Sequence, residues 1–331
     1  MTPAMSALAH GAIYGALILS VLLAIIAVGI WFERKFAGRM QSRLGPTMVG
    51  PIGLLQSIAD VVKLLQKEDI VPRGADRPLF DLAPVLAALF SLGVAAVIPF
   101  SPTIIASDLD IGVVYVLAIG GLMVVPTFLA GWASNNKFAL LGAMRAVAQS
   151  VSYGVPLVLA VLVPVILSGS LSVSGIVDHQ AHHHWFAIWP VLPGLPAFVL
   201  YFMAMLAEAN RIPFDIPEAE SELGAGVTTE YTGAKFVLFY MAEYIHTLVG
   251  SAIGAALFWG GWDGPFAPGL HWMVAKTLLL FALVYWVRWA LLRLRADQLM
   301  ELCWRWLVPI GVGLVLLAAL WVQLVPGGGT R

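Results

Sequence analysis

The sequence predicts an all-α membrane protein with eight transmembrane helices, a cytoplasmic amphipathic surface helix and both termini on the outer (periplasmic) side. Three observations support this fold class. Of the 331 residues, 60% are hydrophobic and only 11% are charged, which is too few to cover a water-soluble surface. Apolar runs of about 20 residues, long enough to cross hydrocarbon as helices, recur along the chain. Lysine and arginine cluster on alternate connections between these runs. The whole chain, residues 1–331, is therefore expected to form a single integral membrane domain.

The apolar runs are expected to be helices, because backbone N–H and C=O groups in lipid must be hydrogen-bonded within their own segment. None of the runs shows the period-two alternation that is typical of a membrane β-barrel. The amino terminus lacks the positive region of a cleaved signal, so the first run is expected to remain as an anchor. The eight runs are 11–32, 82–100, 111–133, 141–167, 186–207, 236–259, 271–292 and 305–325.

The distribution of basic residues predicts the orientation of the chain. Of the 18 lysines and arginines, all except Lys276 and Arg331 lie on or next to odd-numbered connections between the predicted spans. Cytoplasmic connections are the ones enriched in lysine and arginine. The odd-numbered connections are therefore predicted to be cytoplasmic.

The first cytoplasmic connection, residues 33–81, is too long for a plain loop in a compact protein. It contains the helix breaker GPTMVGPIG, and after it apolar residues recur at helical spacing while polar residues fall on the other side. This pattern predicts an amphipathic helix near the membrane surface; the alternative is a simple surface anchor. The apolar residues are Leu54, Leu55, Ile58, Val61, Val62 and Leu65, and the polar ones are Gln56, Asp60, Lys63 and Lys67.

The third cytoplasmic connection, residues 208–235, is unusually acidic, and Pro213 and Pro217 prevent one continuous helix from forming there. Glu218 and Glu222 are one helical turn apart. A solvated loop is the alternative, but interleaved apolar residues favour a partly buried one. In such a place carboxylates have raised pKa values and titrate as a coupled group. The acids are Glu208, Asp215, Glu218, Glu220, Glu222 and Glu230.

The sequence also limits the chemistry that the chain can perform alone. Its one cysteine, Cys303, excludes an internal disulfide and makes an iron–sulfur or cysteine-type zinc site in this chain unexpected. No Walker-type loop or dinucleotide fingerprint is present, so nucleotide chemistry is expected to belong to a partner. The histidines on an outer connection are expected to form an exposed polar loop rather than a metal site. They are His179, His182, His183 and His184.

Several long motifs carry a resemblance to a known family. They include FERKFAGRMQSRLGP (32–46), VGPIGLLQSIADVVKLLQKED (49–69), SNNKFALLGAMRAVAQSVSY (134–153), AEANRIPFDIPEAESELGAG (207–226) and RLRADQLM (293–300). Together they resemble the H-subunit family of the proton-translocating NADH-quinone oxidoreductase, complex I. Membrane anchors of energy-converting hydrogenases share part of this pattern but lack the full EAESEL and TEY continuation, so they are the alternative. A secondary transporter is a more distant alternative, because most acids cluster on one face and no repeat is visible.

The resemblance implies a translocase subunit of the respiratory chain in the cell inner (plasma) membrane, with no catalytic redox centre of its own. It would form the membrane half of a chamber that takes ubiquinone or menaquinone as substrate, with no covalently bound cofactor. Implied partners are hydrophilic-arm subunits that carry the terminal iron–sulfur cluster and cap the quinone site. Antiporter-like and small membrane-arm subunits and membrane lipids are further partners, FMN lies in a partner subunit, and no nucleic acid is involved.

The resemblance also implies roles for individual residues. The residues implied at the quinone chamber are Glu33, Arg34, Arg39, Arg43, Asp60, Lys63, Lys67, Arg211, Phe214, Asp215, Glu218, Glu220, Glu222, Arg288 and Arg293. Arg295 and Asp297 would add charge beside Arg288 and Arg293. For Arg39, Lys67, Arg293 and Arg295 the alternative is a plain topological anchor. The residues implied in a proton path are Arg145, Glu208, Glu230, Glu243 and Tyr244.

The chain departs from the family pattern at three places. Gly154 follows Tyr153 where the family usually has a glutamate that counts in the proton path, and GPTMVG replaces the usual GPN start. Leu292 stands where a proline commonly precedes the arginine. The missing glutamate puts the usual proton route in question, although not the chamber. The hypothesis is that protons or charge pass here through Glu208, Glu230 and Glu243.

Overall fold

The computed structural model describes residues 3–188, 193–218 and 220–324. The chain divides into two compact units, Met1–Glu68 and Asp69–Arg331.

The first unit contains a long helix, α1 (Pro3–Met40), and a short helix, α2 (Gln56–Leu65), separated by a non-helical segment with a 3-10 turn at Pro51–Gly53. The predicted span 11–32 lies within α1, and the segment between the helices contains the breaker GPTMVGPIG. The Ser57 hydroxyl donates a hydrogen bond to the Ala27 carbonyl (2.8 Å), and Trp31 Nε1 donates to the Ile52 carbonyl (3.1 Å). These two bonds fasten α2 to α1.

The predicted amphipathic helix is present as α2 and the two residues before it. The apolar side chains of Leu54, Leu55, Ile58, Val62 and Leu65 are all exposed. Their common face is therefore free of packing within this unit, which is the arrangement that an interfacial helix uses against lipid.

In the described residues of the second unit the regular elements are helices, apart from a two-stranded antiparallel hairpin, β1 (Pro99–Ser101) and β2 (Ile104–Ile105). This unit also contains a 3-10 turn at Gly226–Thr228 and a π-helical turn at Leu302–Leu307. The helices are α3 (Arg77–Ala95), α4 (Gly112–Leu122), α5 (Val124–Ala133), α6 (Lys137–Ser168), α7 (Val173–His182), α8 (Gly194–Glu208), α9 (Glu220–Leu223), α10 (Gly233–Phe258), α11 (Leu270–Ala290), α12 (Ala296–Glu301) and α13 (Val308–Leu324).

Six helical segments of the described chain are long and apolar enough to cross a membrane, which confirms the predicted all-α membrane class. They match six of the eight predicted spans. The other two predicted spans correspond to part of α1 and to the 15-residue apolar helix α8, so the count of eight stays a prediction. The six segments are Arg77–Ala95, Gly112–Ala133, Lys137–Ser168, Gly233–Phe258, Leu270–Ala290 and Ala296–Leu324.

The structure corrects the prediction of a loop at the histidines of the outer connection. His179 and His182 lie in the last turns of α7, while His183 and His184 follow it and are exposed. The helix begins at Val173, and the side chain of the N-cap residue Ser172 accepts a hydrogen bond from the Gly175 amide. The cap and the buried face of this helix, which includes Ile176 and Val177, favour a helix where the polar histidines alone indicated a loop.

A buried hydrophobic cluster of the second unit lies where α3, α5 and α6 meet residues 226–231. The rings of Phe80 and Tyr231 stack with centroids 4.1 Å apart, and the Tyr231 hydroxyl donates to the Phe80 carbonyl (3.2 Å). Ala83, Ala130 and Ala143 are fully buried around this pair. Small residues at these positions let the helices approach closely, as membrane helices commonly do.

A buried lysine binds the backbone carbonyls at the carboxyl terminus of α10 and just after it. Lys276 of α11 donates hydrogen bonds to the carbonyls of Trp259, Gly261 and Asp263 (2.5, 3.0 and 2.5 Å), and its ammonium lies 3.8 Å from the ring centroid of Trp185. A lysine is suited to this position because the carbonyls at a helix carboxyl terminus carry partial negative charge. Lys276 is thus a structural residue.

The close packing of α6 against the acidic connection yields a testable prediction. A Cβ at Gly142 would lie 2.8 Å from the Pro217 carbonyl oxygen and 3.1 Å from the Val227 amide nitrogen, so Gly142→Ala must displace backbone. We expect a loss of about 1–3 kcal/mol in stability, visible as a lower melting midpoint of the detergent-solubilised chain. Gly121→Ala is the control, because a Cβ there meets no atom within 4 Å and alanine favours a helix. Equal midpoints for the two variants would contradict this account of the packing.

Candidate functional site

The acidic connection is held in place by a buried glutamine of α6. Gln149 Nε2 donates to the carbonyls of Ala207 (2.7 Å) and Phe214 (2.9 Å) and to Asn210 Oδ1 (3.2 Å). The Leu294 amide also donates to the Pro213 carbonyl (2.9 Å), next to the cis peptide bond Ile212–Pro213. As predicted from its prolines, this segment is not one continuous helix. Its backbone polar groups bond to neighbouring elements instead, which fixes the directions of its side chains.

Arg211 is the most deeply buried charge of this connection, with a relative exposure of 2%. Its Nη1 lies 3.1 Å from Glu243 Oε1, and its Nε donates to Thr247 Oγ1 (3.3 Å). The guanidinium carbon also lies 4.2 Å from the ring centroid of Tyr244. All three partners project from α10. A buried guanidinium is tolerated only with such charge, hydrogen-bond and aromatic partners.

Carboxylates from three separate elements meet in one cavity, called here the acid-lined cavity. It holds about 790 Å³ of space, counting the part that is open to the outside. Glu208 reaches it from the end of α8, Glu243 from α10 and Glu218 from the connection. The other polar residues on its wall are Thr127, Ser150, Tyr153, Asn210, Thr228 and His246.

Burial makes two acids of the connection hard to ionise. It raises the pKa of Glu218 to about 8, and the negative charges of Glu243 and Asp215 add to this effect against Arg211 and Arg288. The pKa of Asp215 is also raised by burial, although Arg288, Arg293 and Arg211 oppose the shift. Asp215 Oδ1 is buried and has no hydrogen-bond partner among the described residues. This cluster can therefore hold a proton near neutral pH.

Glu222 lies in a different environment from Glu218. It is exposed, and it accepts hydrogen bonds from Arg145 and from Arg293 Nη2 (3.0 Å). The hydrogen bond from Arg145 and the charges of both arginines hold the pKa of Glu222 below its usual value. Although Glu218 and Glu222 are one helical turn apart in sequence, α9 begins only at Glu220, so they do not share a helix face. Glu222 thus pairs with two arginines at once. Arg145 is predicted to lie in the proton path, and Arg293 is predicted to lie at the chamber.

The remaining predicted residues of the second unit are more scattered. Glu230 accepts a hydrogen bond from Asn136 Nδ2 (2.6 Å) at the start of α6 and is not on the wall of the acid-lined cavity. Phe214 is buried within the connection. Arg295 and Asp297 form an exposed pair (3.4 Å). The side chain of Glu220 lies outside the described residues.

In the first unit the predicted residues form a small polar cluster on α1 and α2. Arg34 Nη1 lies 2.5 Å from Asp60 Oδ2, and Gln56 Nε2 donates to Asp60 Oδ1 (2.9 Å). Glu33 is buried. These contacts explain the acid at position 60 structurally, while its part in a chamber stays a prediction. The predicted residues Arg39, Arg43, Lys63 and Lys67 are exposed.

Sequence reasoning missed three polar residues that the structure places at the site: Gln149, Tyr153 and His246. Each lies inside a long apolar run, and an ionisable or amide side chain within a membrane span is itself a signal of function. Applied to α6 and α10, this signal would have found Gln149 and His246.

The fold and the cavity define a multi-pass membrane protein in which three carboxylates meet in one cavity among the helices. The sequence profile of the NADH dehydrogenase family matches residues 13–319. Relatives named as the H subunit of NADH-quinone oxidoreductase are found in Dehalococcoides mccartyi (44% identity, 96% of this chain and 88% of the relative) and Anaeromyxobacter dehalogenans (45%, 94% and 81%). Another comes from Brevibacillus brevis (44%, 95% and 94%). The chain belongs to the NADH dehydrogenase family.

The raised pKa of Glu218 predicts a specific pH dependence of stability. Between its usual pKa of 4.5 and about 8, the folded chain holds a proton on Glu218 that the unfolded chain has lost. Stability therefore falls as pH rises through this window. We expect Glu218→Gln to flatten this slope, raising stability at pH 8 relative to the unmodified chain by a few kcal/mol at most. Melting midpoints from pH 5 to pH 8 measure it, and parallel curves for the two proteins would refute the burial of this carboxyl.

The Arg211–Glu243 pair predicts a non-additive mutant cycle. Arg211→Met leaves Glu243 without its nearest positive charge, so we expect a loss of about 3–5 kcal/mol in stability. Because Glu243→Gln removes the negative charge left behind, the double variant should lose less than the sum of the two single losses. Unfolding of the purified chain in mixed detergents measures all three values. Additive losses would show that the pair is not coupled.

Proposed function

We propose that this chain is the membrane subunit of a respiratory NADH-quinone oxidoreductase that forms the quinone-binding chamber with hydrophilic-arm subunits. In this role it couples quinone reduction to proton translocation. The observation that carries the proposal is the convergence of Glu208, Glu218 and Glu243 on the acid-lined cavity. The names of the relatives supply the substrate class, and their identity extends over nearly the whole chain.

The electrostatics of the cavity suit such coupling. Reduction of a quinone to a quinol consumes two protons and transiently creates negative charge. Two unit charges about 6 Å apart at an effective dielectric of about 20 interact by roughly 3 kcal/mol, or about two pKa units. A negative charge that appears beside the connection would therefore raise the pKa values of its carboxyls and draw protons onto them. When the charge is neutralised, the protons are released.

The fixed charges give each acid a distinct task. Arg211 neutralises Glu243, so Glu218 is the acid whose proton occupancy changes most readily near neutral pH. Burial raises the pKa of Asp215 and three arginines lower it. Because these effects oppose each other, small changes in the surroundings would change the charge of this carboxyl. Arg145 and Arg293 bind Glu222 at the exposed edge and brace the connection there. The cluster titrates as a group rather than as separate residues.

The proposal includes partners, because the chain has one cysteine and so lacks the thiolates that hold an iron–sulfur cluster. Electrons would arrive from the terminal cluster of a hydrophilic-arm subunit, with FMN further away in that arm. The change in charge and proton occupancy that follows quinone reduction would be passed on to antiporter-like subunits. The membrane would be the cell inner membrane, crossed by eight spans with both termini on the outer side.

Purification of the chain together with its natural neighbours separates this function from the alternatives. We expect a flavin-containing complex that oxidises NADH and reduces a quinone analogue. Nickel in the complex would identify a hydrogenase-type anchor instead. Transport by the chain alone would identify a secondary transporter.

The role of Glu218 is tested by Glu218→Gln in the purified complex, reconstituted in sealed vesicles. We expect quinone-reductase turnover at pH 7 to fall at least about tenfold, since an acid that exchanges protons near neutral pH is lost. Glu301→Gln is the matched control, because Glu301 is exposed and pairs with Arg305 one turn away on the same helical segment. If turnover and proton movement both remain normal in Glu218→Gln, the proposed role of this residue is wrong.

A further inference from the structure

A second cavity lies next to the acid-lined cavity, and the two share Glu208 and His246 on their walls. This second space, called here the apolar cavity, holds about 470 Å³, counting the part that is open to the outside. Apart from these two residues, Tyr201 is its only polar-tipped wall residue in the described chain. The pair Glu208–His246 therefore lies where the polar interior ends. The remaining wall is apolar, and examples are Val94, Val113, Leu157, Val161 and Leu257.

His246 is buried in the middle of α10, with a relative exposure of 7%. Its Nε2 lies 3.8 Å from Glu208 Oε1, and its Nδ1 is buried with no hydrogen-bond partner among the described residues. It follows Glu243 by three positions, so both side chains project from neighbouring faces of the helix towards the acid-lined cavity. A buried ring nitrogen without a partner is costly for stability, which argues against a purely structural histidine.

The helices packed against α10 bring no further carboxylate to the pair. From α3 the two cavity walls receive only the apolar residues Ala87 and Val94, and no residue of α11 lies on either wall. From α6 the cavity wall receives Ala146, Ser150 and Tyr153, so this helix contributes a phenol as its titratable group. From α8, which ends in Glu208 itself, comes Tyr201, whose hydroxyl donates to the Gly250 carbonyl (2.8 Å).

On the α4 side, Glu208 packs directly against backbone. A Cβ built on Gly120 would lie 2.5 Å from Glu208 Oε1. The acidic connection supplies Glu218, and α10 supplies Glu243, which is paired with Arg211 (3.1 Å). Glu208 is therefore the one charged partner that the described residues give to His246, at 3.8 Å from its Nε2.

We propose that His246 and Glu208 form a proton-carrying pair at the inner end of the acid-lined cavity. In the transfer, the proton leaves a Glu208 carboxyl oxygen and binds His246 Nε2, so a neutral pair becomes a carboxylate beside an imidazolium, with no electron moved. The reverse step restores the neutral pair. The inference rests on the proposed function, since it gives that cavity a terminal proton acceptor.

The geometry permits this transfer with a small movement. The separation of 3.8 Å exceeds a hydrogen bond, and a side-chain rotation that shortens it by about 1 Å would form one. An imidazole is suited to the position because one ring nitrogen can accept a proton while the other donates one.

The test uses the intact complex in sealed vesicles, comparing His246→Gln with the unmodified protein from pH 6 to pH 8. Proton uptake is followed with a pH-sensitive dye while quinone reduction is followed optically. We expect proton flux at pH 7 to fall at least threefold and its pH profile to lose a one-proton step. His271→Gln is the matched control, because His271 is an exposed histidine at the start of α11. It should leave both readouts unchanged.

The pH profile decides the outcome. A lower flux with an unaltered profile would overturn the proposal, since it would show a packing role alone, and so would a flux and profile equal to those of His271→Gln. Because His246→Gln could disturb assembly, His246→Asn is made in parallel. Failure of both amide variants to enter the complex would also count against the pair, since each retains a polar side chain. If the unmodified complex reduces quinone without moving protons, the proposed function fails rather than this inference.

Discussion

The arrangement of this site depends on the burial of one positive charge. Arg211 follows α8 closely, and its guanidinium contacts Glu243, Tyr244 and Thr247 of α10. A buried guanidinium without these partners would be strongly unfavourable, so the connection after α8 must remain against α10. Gln149 secures the same connection from α6 through three hydrogen bonds. These contacts set the positions of the neighbouring acids.

Burial then separates acids that have the same chemistry. Glu218 and Glu222 are four residues apart, yet one pKa is raised and the other lowered. Glu218 faces the acid-lined cavity, where desolvation and like charges disfavour ionisation. Glu222 faces outwards and binds two arginines, which favour it. A short connection thereby provides both a proton-holding acid and an acid whose charged form two arginines stabilise, and this contrast underlies the proposed coupling to a redox reaction nearby.

Small residues allow polar groups into the bundle. Gly142 lets α6 approach the backbone at Pro217 and Val227, and Gly120 lets the Glu208 carboxylate lie against α4. Larger residues would widen these contacts and leave the polar groups without close neighbours. The resulting interior has a polar part and an apolar part, and Glu208 with His246 lies at the boundary between them. The proposed proton-carrying pair therefore has polar wall residues on one side and mainly apolar ones on the other.

The sequence by itself determined the membrane class, most helix positions, the break after Glu208 and the exposed apolar face of α2. These features follow from local properties: run length, proline geometry and helical periodicity. Only the tertiary structure decided which acids meet. It joined Arg145 to Glu222, separated Glu230 from the cavity, and added Gln149, Tyr153 and His246. The charge partners and the desolvation of a residue depend on which helices pack together. The spacing of residues along the sequence does not predict these contacts between distant segments.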